Sequence, residues 1–230
     1  MTLQEISNGR LEFRTGTGAT LQWPSQWWHP YGIDYPNNAE RVSILEEGVY
    51  ILDALWNEQT IAVSFEGTHF KLNGATLQKI TINQRKIPLT IAAKGNRSMK
   101  IAAKYADIWD SSYITPEQFA CLNEKFDEIS KEFNNNAGNR SKKIIKSIEL
   151  DVIIADSDSD LEYKKRIFAM ERGPNVAHQI LKHGLIGKPD KITEKLKEYT
   201  NAGVNQFFLA FQDPFDHKAL ELFMKATAII

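Results

Sequence analysis

Leu11, Phe13 and Thr15 alternate with Glu12 and Arg14, and this period of two predicts a short strand at about 10–15. The period then changes. Val42, Leu45, Val49, Leu52 and Trp56 recur at three- and four-residue spacing, with Glu40, Glu46, Glu47 and Asp53 off the stripe. Asn37 followed three residues later by Glu40 resembles a capping box, so the helix is expected to start near 38. Pro88-Leu89-Thr90-Ile91-Ala92-Ala93 is an unbroken apolar run of buried-strand length, ended by Gly95. Ser98 to Ala106 reads as a short helix, and Ile108-Trp109 as a strand.

Thr115-Pro116-Glu117-Gln118 is a helix start, with Thr as cap, Pro at the first position and Gln at the third. Phe119, Leu122, Phe126, Ile129 and Phe133 form its stripe, while Ile148, Leu150, Val152 and Ile154 alternate as a strand. Helical patterns over about 160–171 and 175–183 are split by Gly173-Pro174. Another covers about 190–202 and stops at Gly203. Phe207 to Phe211 is a buried-type strand, and a last helix is expected over about 216–228 with Asp216 as cap. Such β-α alternation implies a parallel sheet covered by helices, with five strands each followed by a helix. The stretch 57–87 breaks the rhythm and reads as a hairpin-like insertion within a single domain over 1–230.

Composition narrows the function classes. The chain has 230 residues, 42% hydrophobic and 25% charged, which is ordinary globular material. Lys plus Arg is 28 against 29 Asp plus Glu, a net charge of −1, so no basic excess argues for nucleic acid. One cysteine, Cys121, excludes a disulfide framework and a cysteine-based zinc site. His29 reads as an acid/base candidate or an ordinary loop histidine, while His69, His178, His183 and His217 show no metal-ligand spacing, and no metal site is expected. Asp156-Ser157-Asp158-Ser159-Asp160 lacks the glycine and glutamate of a calcium loop and reads as capping of the next helix. No apolar run reaches the ~18 residues that span a bilayer, and the N-terminus has no basic start or apolar core of a signal peptide. The expectation is a cytoplasmic protein without membrane contact.

Several segments, in order, resemble the luciferase-like monooxygenase superfamily. They are Leu3 to Phe13, the turn Gly16-Thr17-Gly18, Tyr31-Gly32-Ile33, Glu40-Arg41 with Leu45-Glu46-Glu47, and Leu55-Trp56. Ser64-Phe65-Glu66-Gly67 and His69-Phe70-Lys71-Leu72 follow, then Ile91 to Gly95, Ala102 to Asp107, Leu185 to Asp190 and Ala202-Gly203-Val204. The resemblance implies a flavin- or coenzyme F420-dependent oxidoreductase or monooxygenase on a TIM (β/α)8-type barrel, with the F420 (5-deazaflavin) branch nearest and the FMN-dependent members next. The family carries three βα units before the segment that resembles Met1 onward. The implied fold is therefore a truncated barrel of about five parallel strands. An eight-stranded ring cannot close with five, so exposed edges would favour a homo-oligomer, most simply a dimer. A catalytically inactive, cofactor-binding or oligomeric module is the alternative to an enzyme.

The candidate chemistry follows the turns. Lys94-Gly95-Asn96-Arg97-Ser98 lies between a buried strand and a helix start, where backbone N–H groups and the helix dipole favour an anion. Gly95 allows close approach, Ser98 offers a hydroxyl and Arg97 a two-pronged contact with phosphate. The plain alternative is an ordinary strand-to-helix turn. The resemblance implies that the phosphate of F420 or FMN sits here. It also implies that Gly16-Thr17-Gly18 lines the cofactor pocket and that Arg41 contacts the phosphate. A tight turn needing glycine, and a solvated Arg paired with Glu40 or Glu46, are the alternatives. Arg14 is costly in a buried strand and is expected to face solvent. Trp23, Trp27, Trp28, His29 and Tyr31 could stack on a ring or cover a substrate, or could form a small satellite core. Hydride would pass between the cofactor and a small organic substrate, and no residue stands out as catalytic.

Overall fold

A computed structural model describes residues 2–18, 28–57, 62–77, 87–136, 143–211 and 216–228. The chain divides into two compact units, Met1–Trp109 with Ile129–Ile144, and Asp110–Glu128 with Ile145–Ile230.

The first unit begins with α1 (Thr2–Ile6) and β1 (Phe13–Gly16). The side chain of Gln4 is buried, and its Oε1 accepts from the Leu11 N–H at 3.1 Å, tying α1 to the chain entering β1. A 3-10 turn (His29–Tyr31) leads to α2 (Asn38–Asn57). Asn37 Oδ1 accepts from the Glu40 N–H at 3.1 Å, the cap expected from the sequence. Val42, Leu45 and Val49 of the stripe are buried. An antiparallel hairpin, β2 (Val63–Glu66) and β3 (Lys71–Ala75), follows. Then come β4 (Leu89–Ala92), α3 (Asn96–Tyr105) and β5 (Ile108–Asp110), whose last residue belongs to the second unit. β1 pairs with β4 in parallel, from Phe13 opposite Leu89 to Gly16 opposite Ala92. Leu89, Ile91, Met99 and Trp109 are almost fully buried, each worth roughly 1.5–3 kcal/mol in apolar burial. Arg14 is exposed, as expected.

The second unit is built on β6 (Ile145–Ile154). The helix α4 (Pro116–Asn136) runs through the division between the units. Thr115 Oγ1 accepts from the Gln118 N–H at 3.3 Å, while Gln118 Oε1 accepts from the Thr115 N–H at 3.0 Å, a reciprocal cap. After β6 come α5 (Asp158–Arg172), α6 (Pro174–His183), β7 (Leu185–Gly187), α7 (Pro189–Asn201), β8 (Gln206–Phe211) and α8 (His217–Thr227). β6 pairs in parallel with β8 from Ser147–Gln206 to Val152–Phe211, and with β7 from Val152–Leu185 to Ile154–Gly187. Ser157 caps α5 through the Asp160 N–H at 3.2 Å, and Asp216 caps α8 through the Ala219 N–H at 2.9 Å.

Among the described residues, six strands stand outside the hairpin, one more than the sequence pattern gives. The extra one is β7, three residues long and too short to show any period. The fold class is α/β, with parallel strands and covering helices. No helix among the described residues is long and apolar enough to cross a membrane.

Candidate functional site

The parallel register of β1 and β4 fixes the geometry of the first unit's strand ends. Gly16 lies opposite Ala92, so the turn Gly16-Thr17-Gly18 and the turn Lys94–Ser98 leave neighbouring strands at the same end. Gly16 sits tightly against the neighbouring strand: a Cβ there would stand 3.0 Å from the Cβ of Ala92. Gly18 has φ +75°, and a Cβ there would run into the Tyr35 hydroxyl.

Arg41 sits in the first turn of α2 and is only 9% exposed. Its Nη1 donates to the Thr17 carbonyl at 2.7 Å and to the Tyr35 hydroxyl. The guanidinium also lies 4.2 Å from the centroid of the Tyr35 ring, and Tyr35 stacks on Trp28 at 5.9 Å. Arg41 is thus buried rather than solvated, and it ties α2 to the glycine turn. Gly16, Thr17, Gly18 and Arg41 line one cleft of about 370 Å³, whose other walls include Phe13, Trp28, Tyr35, Leu45, Val49 and Phe70. Tyr35 was not singled out by the sequence pattern. Its place emerges only in the fold, where the missing side chain of Gly18 makes room for the Tyr35 hydroxyl.

Lys94–Ser98 do not line that cleft; they form the adjoining turn. Gly95 is the N-cap of α3, in extended backbone, and among the described residues no side chain caps this helix. The first-turn N–H groups thus keep the partial positive charge of a helix start. Among the described residues, a Cβ at Gly95 would meet only Ser98 Oγ within 4 Å, at 3.5 Å. Ser98 is buried and donates to the Gly95 carbonyl at 3.0 Å. Arg97 Nη2 stands 3.5 Å from Glu46 Oε2, an exposed and loose pair. Below the turn, Trp109 Nε1 donates to the Ala93 carbonyl at 2.8 Å and fixes the end of β4.

Of the aromatic group, Trp28 joins the cleft, while His29 and Tyr31 are exposed. Trp23 and Trp27 lie outside the described residues. In the second unit, burial pushes the Asp151 carboxyl up to about 6; Arg172 opposes the rise and Glu149 adds to it.

The site is thus an anion-favouring turn beside an apolar cleft, both at the carboxyl end of paired parallel strands. That is where α/β folds bind phosphate-bearing ligands. The luciferase-like monooxygenase family model matches residues 1–179, and the chain belongs to this family. Among curated proteins, an F420-dependent glucose-6-phosphate dehydrogenase of Microbacterium testaceum is 29% identical over 114 residues, covering 50% of this chain and 30% of that protein. The corresponding protein of Mycobacterium avium is 24% identical, covering 99% of this chain and 71% of that protein. The match thus spans about a third of the first of these relatives and under three-quarters of the second.

Among solved structures, an F420-dependent secondary alcohol dehydrogenase in complex with an F420-acetone adduct is similar with TM-score 0.75 and 19% identity. The likeness covers 99% of this chain and 72% of that one. A monooxygenase from Streptomyces bottropensis gives 0.71 at 18% identity, with 99% and 71% covered. These likenesses establish the fold, which is that of the family's TIM-barrel members.

Proposed function

We propose that the chain binds coenzyme F420 or FMN and takes part in hydride transfer to or from a small organic substrate. The observation that carries this is the register of Gly16 on Ala92, because it sets the glycine turn and the uncapped start of α3 side by side. The first-turn N–H groups of Asn96, Arg97 and Ser98 receive the cofactor phosphate, with Lys94 and Arg97 supplying charge. Gly95 fits this role because, among the described residues, the space its missing Cβ leaves is open. Gly16, Thr17 and Gly18 line the pocket edge, and Arg41 acts there by holding the turn through the Thr17 carbonyl. When bound, the cofactor supplies the ring that accepts or donates hydride, and in an FMN form it also supplies reactivity with oxygen. The names of the F420-dependent relatives and of the monooxygenase neighbours support this reading.

Titration calorimetry of the purified chain with F420 and with FMN tests it. Saturable binding of one of them in the micromolar range, lost on Gly95→Glu, is expected. Absence of binding to both at far higher concentration overturns it. Binding without turnover of any reduced cofactor assigns the chain as a cofactor-binding module instead. The same reading includes a cytoplasmic homodimer. Its support is the exposure of Leu3 (65%) and Ile6 (76%) on α1, apolar side chains suited to cover by a second copy. Sedimentation at micromolar concentration decides between dimer and monomer.

A further inference from the structure

The tip of the β2–β3 hairpin is held by a single carboxylate from a distant part of the chain. Glu47, in the middle of α2, accepts three consecutive backbone N–H groups. Thr68 donates to Oε1 at 2.8 Å, and His69 and Phe70 donate to Oε2 at 2.9 and 3.1 Å. The tip itself is closed by the Gly67 N–H donating to the Phe70 carbonyl at 2.9 Å. Three successive amides turned toward one point make a small anion nest, here filled by the protein's own side chain. Gly67 completes the arrangement, because a Cβ there would occupy the space of the Glu47 carboxylate and of the Phe65 ring. Burial works against the charge of Glu47, yet the donations from His69, Thr68 and Phe70 outweigh it and hold the carboxyl below its ordinary range.

The consequence reaches the cleft. The third donor, Phe70, is also a cleft-lining residue. Its ring packs over Gly48, the residue after Glu47, where a Cβ would be 3.7 Å from Phe70 Cε2. The helix therefore grips the hairpin by the backbone and receives the Phe70 ring one residue further on. We infer that Glu47 is a positioning residue: it holds the hairpin tip so that Phe70 forms a fixed wall of the cleft, and it thereby limits what the cleft admits. This inference rests on the proposed cofactor reading for its ligand, but not for its geometry.

The test combines two readouts on Glu47→Ala, Glu47→Gln and Phe70→Ala in the full chain. Hydrogen exchange followed residue by residue reports the amides of Thr68, His69 and Phe70. Calorimetry with F420 and with FMN reports the cleft. The expected result is loss of protection at those three amides in Glu47→Ala, with roughly tenfold weaker cofactor binding. Glu47→Gln, which keeps one acceptor oxygen, restores part of both. Phe70→Ala keeps the amide protection and weakens binding to a similar degree, separating the wall from its fastening. Unchanged exchange at 68–70 in Glu47→Ala overturns the inference. So does lost protection with binding as in the native chain. If the native chain binds neither cofactor, the cofactor reading falls, and a probe that needs no cofactor decides the inference. An apolar dye such as anilinonaphthalene sulfonate should gain fluorescence on Glu47→Ala and on Phe70→Ala as the wall opens. No gain in either overturns the inference.

Discussion

Trp109 Nε1 donates to the carbonyl of Ala93, and this bond at 2.8 Å joins β5 to the last residue before the Lys94–Ser98 turn. Both partners are buried. Trp109→Phe keeps an aromatic ring there but leaves the Ala93 carbonyl without this donor. An unsatisfied buried acceptor costs about 1–3 kcal/mol, and the smaller ring adds a packing loss. The variant is expected to lose about that much unfolding free energy, seen as a lower urea midpoint by circular dichroism. A midpoint equal to that of the native chain would show that the bond does not support the turn.

Gly18→Ala is expected to be costlier than a surface change. The residue combines φ +75° with a Cβ position already filled by the Tyr35 hydroxyl. Backbone strain of this kind costs about 1 kcal/mol or more. Relief would push Tyr35 away from Arg41 and release the Thr17 carbonyl. Thermal melts should therefore show a lower midpoint, and near-ultraviolet dichroism should show a changed Trp28–Tyr35 stack. A variant with native melting and native dichroism would show that the turn does not depend on glycine at 18.

The sequence carried the elements whose signals are local. Asn37, Thr115 and Asp216 announced helix starts because a cap needs only a side-chain acceptor and an amide three residues on. Ile148 to Ile154 announced β6 because four buried apolar residues repeat with period two. What stayed hidden depends on contacts between distant residues. β7 has three residues and no period. The sequence leaves Arg41 open between a phosphate contact and a solvated arginine, because its partners Thr17 and Tyr35 come from other segments. Glu47 looked like one acid on a polar helix face, and only the folded hairpin shows what it holds. The glycines at 16, 18 and 95 were legible as candidate turns. Which cleft each belongs to was not, since that is set by strand register.

Arg97→Ala separates a binding role from a structural one. The side chain is more than half exposed, and its pair with Glu46 at 3.5 Å is worth little to stability. Unfolding in urea should shift by less than about 0.5 kcal/mol. A hydrogen bond to a charged phosphate contributes about 1.5–3 kcal/mol, so affinity for F420 or FMN should fall by roughly ten- to a hundredfold. Raised salt should reduce the difference between native chain and variant. Equal affinities at low salt would place the phosphate elsewhere.

Asp151 should make stability depend on pH in the sense opposite to an ordinary ion-paired carboxylate. It is 4% exposed, and its carboxyl is raised to about 6. The folded state therefore favours the protonated form. The resulting stability is fully present below the usual aspartate range, near 3.8, and is lost as pH rises through about 6. Arg172 offsets part of the loss and Glu149 adds to it. A rise of this size corresponds to at most about 3 kcal/mol over the whole titration. Asp151→Asn keeps the shape and removes the ionisation. Relative to the native chain, it should gain roughly 1 kcal/mol in urea unfolding between about pH 4.5 and 7.5, with most of the change near pH 5–6. A difference between the two chains that stays flat across that range would show that Asp151 ionises in the fold as freely as it does in the unfolded chain.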